Sequence, residues 1–73
     1  MSVFEKRSVT LAGHATSVAL EAEFWAVLDA AAREERLPFA RLIAIIDEGR
    51  APEQPLSSAC RVYALKRALK AIS

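Results

Sequence analysis

Apolar and small polar residues alternate along two short stretches near the amino terminus. In the first stretch, Val9 and Leu11 fall on one side of an extended chain, while Ser8 and Thr10 fall on the other. The second stretch alternates in the same way and has two faces: Thr16, Val18 and Leu20, and Ala15, Ser17 and Ala19. This period of two predicts strands over about residues 6–12 and 15–20. Gly13 lies between them, so the two segments form either a hairpin or one long bent strand.

After the second stretch the apolar residues recur every three or four positions, which is the period of a helix. The predicted helices span about residues 21–36, 38–49 and 57–72. The first helix ends where it does because Pro38 disfavours a helical conformation at Leu37. Ser57 or Ser58 is expected to cap the third helix. The third helix carries an apolar stripe at four positions: Val62, Leu65, Leu69 and Ile72.

The second predicted helix is apolar on most of its sides. Its main stripe consists of Phe39, Leu42, Ile43 and Ile46, and three further residues widen that stripe: Ala40, Ala44 and Ile45. A helix that is apolar on most sides must be buried on most sides. We expect the rest of this short chain to be unable to cover it, so a second subunit is predicted. The expected dimer interface consists of Val18, Leu20, Phe39, Leu42, Ile43 and Ile46.

Length and composition indicate a single domain over residues 1–73, in which 53% of the residues are hydrophobic. A domain of this size buries too little surface to be very stable alone, which again favours an oligomer. Cys60 is the only cysteine, so an internal disulfide is impossible and a buried, unreactive thiol is expected. No signal peptide or membrane-spanning run is recognisable, so a cytoplasmic location is expected.

The net charge of +1 hides an uneven distribution of charged residues. Residues 1–20 carry two cations and one acid, residues 21–50 carry four cations and seven acids, and residues 51–73 carry four cations and one acid. Both ends are therefore basic, and either could meet an anion. The third helix carries four cations: Arg61, Lys66, Arg67 and Lys70. They either bind phosphates or only interact favourably with the helix dipole.

Four motifs carry a resemblance to a known family. They are KRSV at residues 6–9, GH-x-TS at residues 13–17, the pair Phe24 and Trp25, and LSSA-x-RV at residues 56–62. The chain resembles the small bacterial ribbon-helix-helix proteins. The resemblance implies a mainly α fold with short β-strands, an additional carboxyl-terminal helix, and a homodimer joined by an intersubunit antiparallel ribbon. It also implies a transcriptional regulator that places its ribbon in the major groove of double-stranded DNA.

The resemblance assigns DNA contact to the amino-terminal segment, with Arg7 as the best candidate for a guanine contact. The expected DNA-binding residues are Lys6, Arg7, Ser8, Thr10, His14 and Ser17. Ala15 and Ala19 depart from the family pattern, since neither can hydrogen-bond to a base. Pro38 stands where the family usually has a hydroxyl or amide side chain at the phosphate contact. A hairpin would also give the dimer a four-stranded sheet, which is wider than the ribbon that a major groove admits.

These departures keep a second hypothesis open, in which the chain is a dimerisation or protein-interaction module without specific DNA binding. His14 either contacts a phosphate or hydrogen-bonds to backbone at the turn, and Trp25 either covers the core edge or anchors a partner. Catalysis is not expected, because Ser57 and Ser58 have no histidine nearby in sequence and no glycine-rich phosphate loop is present. Neither a cofactor nor a metal ion is expected.

Overall fold

The fold consists of a β-hairpin followed by three helices. The computed structural model describes residues 3–72, so the predicted domain ends at residues 1–2 and 73 lie outside the described part. The elements in chain order are β1 (Phe4–Leu11), β2 (His14–Glu21), α1 (Ala22–Glu35), α2 (Phe39–Gly49) and α3 (Leu56–Ile72). The predicted fold class, mainly helical with short strands and an additional carboxyl-terminal helix, is confirmed.

β1 and β2 form an antiparallel two-stranded sheet, so the hairpin interpretation is confirmed and the bent strand is wrong. Ala12 and Gly13 connect the strands with positive φ angles of 51° and 82°, the pattern of a type I′ turn, whose twist suits a hairpin. The register pairs Leu11 with His14 and Arg7 with Val18. β2 therefore has a partner within its own chain, in addition to any intersubunit partner that the resemblance implies.

One face of the hairpin packs on the helices and forms one side of the core. Val9, Val18 and Leu20 are buried on this face. Because α1 begins immediately after β2, Leu28 of α1 lies in the same buried cluster as Leu20. The remaining buried side chains come from the three helices: Trp25, Ala31, Ala32, Leu42, Ile43, Ile46, Ala59, Cys60 and Ala64. The burial predicted for Cys60 is confirmed.

Trp25 belongs to the core, as the first of its two interpretations proposed. Its side chain is buried, and its indole Nε1–H donates a hydrogen bond of 2.8 Å to the carbonyl oxygen of Glu5. Its ring lies 5.8 Å from that of Phe39, measured between centroids. Trp25 thus joins β1, α1 and α2. Its apolar ring is buried and its single hydrogen-bond donor is satisfied, as a buried tryptophan requires.

The apolar surface of α2 is covered within one chain. Leu42, Ile43 and Ile46 are buried by the hairpin and α3, and Phe39 is partly buried. Val18 and Leu20, also expected at a dimer interface, are buried in the same core. The inference that this helix requires a second subunit for its burial is therefore wrong, because α3 packs across α2. The dimer itself stays a prediction.

α3 is oriented differently from the sequence expectation. Its buried residues are small, namely Ala59, Cys60 and Ala64, whereas the predicted stripe of large aliphatic residues faces outward. Small side chains let α3 lie close to α1 and α2. The cap prediction is also wrong, because the helix begins at Leu56 and both serines lie in its first turn. The amide of Ala59 donates to the carbonyl oxygen of Pro55 instead.

Candidate nucleic-acid interface

The outer face of the hairpin, opposite the core, carries small and polar side chains. The register places Lys6, Ser8 and Thr10 of β1 opposite Ala19, Ser17 and Ala15 of β2. We call these six residues the outer face. Five of them are exposed and Ala19 is partly buried. The hairpin thus brings together four predicted DNA-binding residues, Lys6, Ser8, Thr10 and Ser17. The same alternation places Phe4 and Glu21 at the end of this face, where the carboxylate of Glu21 is paired with Arg61.

Lys6 is the one cation of the outer face. Within residues 3–72, its side chain takes part in no hydrogen bond or ion pair. The two serines pair across the strands, and Thr10 lies opposite Ala15. These side chains offer hydroxyl donors and acceptors and one mobile ammonium group. Such a surface suits phosphate and sugar contacts better than bidentate recognition of a base, which needs an arginine or an amide.

Arg7 lies on the other face of the hairpin, so the structure does not bring it together with Lys6, Ser8 and Thr10. Its guanidinium donates to both carboxylate oxygens of Asp29, at 2.9 Å and 3.0 Å. The Cζ atom lies 4.5 Å from the centroid of the Trp25 ring and 5.1 Å from that of Phe39. Alternation along a strand puts neighbouring residues on opposite faces, and this determines where Arg7 points.

The ion pair between Arg7 and Asp29 changes the pKa of both groups. The hydrogen bonds from Arg7 hold the pKa of the Asp29 carboxyl below its usual value, although partial burial opposes this. The same hydrogen bonds raise the pKa of Arg7. Arg7 thus directs one N–H of each terminal nitrogen to Asp29, and its charge is balanced there rather than free for a base edge. Arg7 thus joins β1 to α1, and its contact with DNA stays a prediction.

His14 stands beside the turn rather than on the outer face. It pairs with Leu11 at the end of the hairpin, and its side chain is exposed. Its position in the strand alternation is that of Val18 and the core face, but the hairpin tip extends past the helices. The structure therefore separates His14 from Ser17, the other predicted contact on β2.

The amino end of α2 is a second feature suited to an anion. The carbonyl oxygen of Pro38 accepts hydrogen bonds from the amides of Arg41 and Leu42, whereas Pro38 supplies no side-chain cap. The amides of Phe39 and Ala40 precede these in the first turn, where a helix leaves its N–H groups unpaired. The first turn contains no acid, and Arg41 is exposed in it.

Sequence reasoning missed Arg41. Its position three residues after Pro38, in the first turn of the predicted helix, was the available signal. A cation there interacts unfavourably with the helix dipole. An anion at that helix end would compensate for the unfavourable position.

Two cations of α3 are engaged in ion pairs, so the predicted phosphate-binding stripe is incomplete. Arg61 donates from Nε to Glu21 at 3.0 Å, and its Cζ atom lies within 6 Å of the Phe4 and Phe24 rings. Arg67 donates to both Glu34 and Glu35, which raises its pKa. These contacts hold α3 against the hairpin and α1, leaving Lys66 as an exposed cation in the middle of the helix.

The arrangement of a ribbon, two helices in tight succession and a further helix is matched by a family model for the ribbon-helix-helix domain, over residues 4–68. The chain belongs to the ribbon-helix-helix family. Ribbon-helix-helix domains are generally found in DNA-binding regulators and are typically not enzymes. No curated protein and no solved structure gives a match to this chain.

Other kinds of site find little support in this ribbon-helix-helix domain. Among residues 3–72, no three potential metal ligands come together. Within the same residues, none of the helices is long and apolar enough to cross a membrane. The hollows of the surface are shallow, and one of them lies beside β2, where Leu56 and Ser57 approach the segment from Thr16 to Ala19.

Proposed function

We propose that this protein is a homodimeric DNA-binding regulator that contacts double-stranded DNA through the outer face. The observation that carries the proposal is the gathering of Lys6, Ser8, Thr10 and Ser17 on one exposed surface, at whose end the carboxylate of Glu21 is paired with Arg61. Phosphate oxygens accept hydrogen bonds from such hydroxyl and ammonium groups. Membership of a family whose proteins are generally DNA-binding regulators supports the same function.

The proposed dimer forms through the free edge of β2, the strand that leads directly into α1. In a hairpin with a two-residue turn, the residues flanking the turn form a hydrogen-bonded pair, and pairing then alternates. The backbone groups of Ala15, Ser17 and Ala19 consequently point away from β1, and the sheet of the described chain ends there. Their small side chains allow a second copy of β2 to approach closely. The family's ribbon pairs strands across a two-fold axis in this way.

A dimer of this kind has four strands, with β1 of each subunit outside the two copies of β2. Such a sheet is too wide to enter a major groove completely. We therefore assign phosphate contacts to Lys6 on the outer strands and to Arg41 and the amino end of α2. The central strands present mainly alanine and serine, so the proposed complex discriminates weakly between base sequences.

Titration of the protein with one duplex over a series of salt concentrations tests this function. Lys6→Ala should weaken binding to every sequence alike and flatten the salt dependence by about two units per dimer, one for each lost phosphate contact. Lys66→Ala is the matched control on α3 and should leave both quantities unchanged. Equal binding by Lys6→Ala and the parent protein would remove the outer face from the proposal.

The second candidate is a dimerisation or interaction module that does not recognise DNA specifically. It is favoured by the engagement of Arg7 with Asp29 and by the alanines of the outer face. Sedimentation distinguishes both candidates from a monomer, because a dimer has twice the chain mass of 8.0 kDa. Dimers that fail to bind any duplex at low salt would support the module, and a monomer would contradict both candidates.

A further inference from the structure

α3 presents a line of large aliphatic side chains to solvent. Val62, Leu65, Leu69 and Ile72 are 42%, 54%, 55% and 78% exposed. Ile45 of α2 is 39% exposed and lines a shallow groove together with Val62. We call the four α3 residues the α3 ridge. Most other large apolar side chains of residues 3–72 are buried or partly buried, so the ridge is a local concentration of apolar surface.

The spacing of the ridge is that of a helix-pairing seam. Its members follow one another at intervals of three, four and three residues, which is the a/d pattern of a heptad repeat. A helix that only covers a globular core usually has a wider apolar face, and α3 already meets the core with Ala59, Cys60 and Ala64. A narrow seam on the opposite side of the same helix fits another helix.

The charges beside the ridge indicate which helix would fit. α3 contains no carboxylate, and two of its four cations, Arg61 and Arg67, are paired with carboxylates of β2 and α1. Lys66 is exposed directly beside Val62 and Leu69 on the helix surface and also lines the groove to Ile45. Residues that flank a seam select partners by opposite charge. A second copy of α3 would bring cations together and offer no acid of its own, so self-pairing is disfavoured.

We propose that the α3 ridge binds an amphipathic helix of another protein, one with an aliphatic seam flanked by aspartate or glutamate. The aliphatic side chains of that helix pack between Val62, Leu65 and Leu69, and its carboxylates face Lys66. This inference goes beyond the proposed DNA-binding function and uses a different surface, so neither depends on the other.

Two designed peptides with the same aliphatic heptad spacing test the proposal, one with glutamate and one with lysine at the flanking positions. Fluorescence anisotropy should show saturable binding of the glutamate peptide and about tenfold weaker binding of the lysine peptide. Leu65→Asp should weaken binding of the glutamate peptide by about a hundredfold, because it places a charge in the seam. Leu65 is more than half exposed, so the variant should fold, which circular dichroism checks.

Charge exchange supplies the decisive comparison. Lys66→Glu should weaken binding of the glutamate peptide by about threefold and strengthen binding of the lysine peptide by a similar factor. Val3→Asp and Arg36→Glu, at exposed positions outside α2 and α3, are the matched controls and should change neither affinity. Equal affinity for both peptides, or no saturable binding of either, would overturn the proposal.

Two other occupants of the ridge are tested with the same variants. Sedimentation tests whether the protein associates with itself and whether Leu65→Asp abolishes that association. If it does, the ridge is assigned to a second copy and the proposal is overturned. Binding of the parent protein, but not of Leu65→Asp, to anionic phospholipid vesicles would assign it to a membrane surface with the same consequence. Absence of both effects, together with selective binding of the glutamate peptide, supports the acidic helix.

Discussion

The guanidinium of Arg7 and the carboxylate of Asp29 form a two-pronged ion pair, with N–O distances of 2.9 Å and 3.0 Å. It joins β1 to the middle of α1, twenty-two residues later in the chain. The Cζ atom of the same guanidinium lies over the rings of Trp25 and Phe39. Three elements, β1, α1 and α2, thus meet at one cation, which gives Arg7 a role in stability.

Replacement of Arg7 should reduce stability and leave the DNA preference of the folded protein unchanged. Arg7→Ala removes a partly exposed ion pair and a cation–π contact, which together contribute about 1–2 kcal/mol. Arg7→Lys keeps the charge but loses the two-pronged geometry, so an intermediate loss is expected. Urea unfolding measures both effects. A variant as stable as the parent that binds DNA less selectively would instead support the guanine contact expected from the family.

The same ion pair should make stability depend on pH in the acid range. The folded-state pKa of Asp29 lies below its ordinary value of 3.8, chiefly because of the hydrogen bonds from Arg7. The stabilisation is therefore fully present above the ordinary pKa and is lost as the pH falls through the lowered one. Asp29→Asn should be less stable than the parent at pH 7, and the difference should shrink below about pH 4.

Urea midpoints at several pH values between pH 7 and pH 2 measure this dependence. Glu48→Gln is the matched control, because Glu48 is an exposed carboxylate that takes part in none of the ion pairs of Arg7, Arg50, Arg61 and Arg67. Glu21 adds to the same acid range, since a hydrogen bond to its own backbone and the pairing with Arg61 lower its pKa. A difference between Asp29→Asn and the parent that stays constant with pH would contradict the assignment.

The sequence predicted the element order well, because alternation and helical period are local signals. It also indicated that Val9 lies on the apolar side of the first strand and that Val18 and Leu20 share a face of the second. The structure buries all three in one core. The face of Arg7 follows from the same alternation, but the charge of the residue favoured a solvent contact in the sequence interpretation. Its partner Asp29 is distant in sequence, so the ion pair could not be recognised from spacing.

The burial of the helices was harder to predict, since it depends on tertiary packing. The stripe of Val62, Leu65 and Leu69 satisfies the usual rule for a core-facing helix, yet α3 packs through Ala59 and Ala64. Close approach between helices through small residues can compete with burial of larger ones. Once α3 covers α2 in this way, the sequence argument for a second subunit loses its premise.

The type I′ turn should be sensitive to its two residues in opposite senses. Gly13 has φ of +82°, and an added Cβ atom would meet nothing within 4 Å, so the cost of Gly13→Ala is backbone strain alone. We expect a loss of about 1 kcal/mol. Ala12 already has φ of 51°, so Ala12→Gly should be neutral or stabilising despite the added freedom of the unfolded chain. Thermal unfolding of the two variants measures the sign of each change in stability. Equal destabilisation by both substitutions would contradict the assignment of a type I′ turn.

Cys60 should be protected from thiol reagents in the folded protein. Its side chain is fully buried, and burial raises the pKa of the thiol from 9.0 to about 11. The thiolate fraction at pH 8 is then about a hundredfold lower than for the unshifted thiol, and the reagent cannot reach it without opening of the fold. Labelling should be fast in concentrated urea and slow without it. Rapid labelling of the folded chain would show that α3 does not stay packed.

Ile45 and Ile46 provide a matched pair that tests where α2 is buried. Ile46 is 6% exposed and Ile45 is 39% exposed, although they are neighbours with the same side chain. Ile46→Asp places a charge in the core at a cost of about 4 kcal/mol or more, close to the whole stability expected for a domain of this length. It should unfold the protein, whereas Ile45→Asp should remain folded. Circular dichroism with urea unfolding distinguishes the two, and a folded Ile46→Asp would refute the core described above.

The parent should be measured at several protein concentrations, because a urea midpoint that rises with protein concentration is the sign of folding linked to dimerisation.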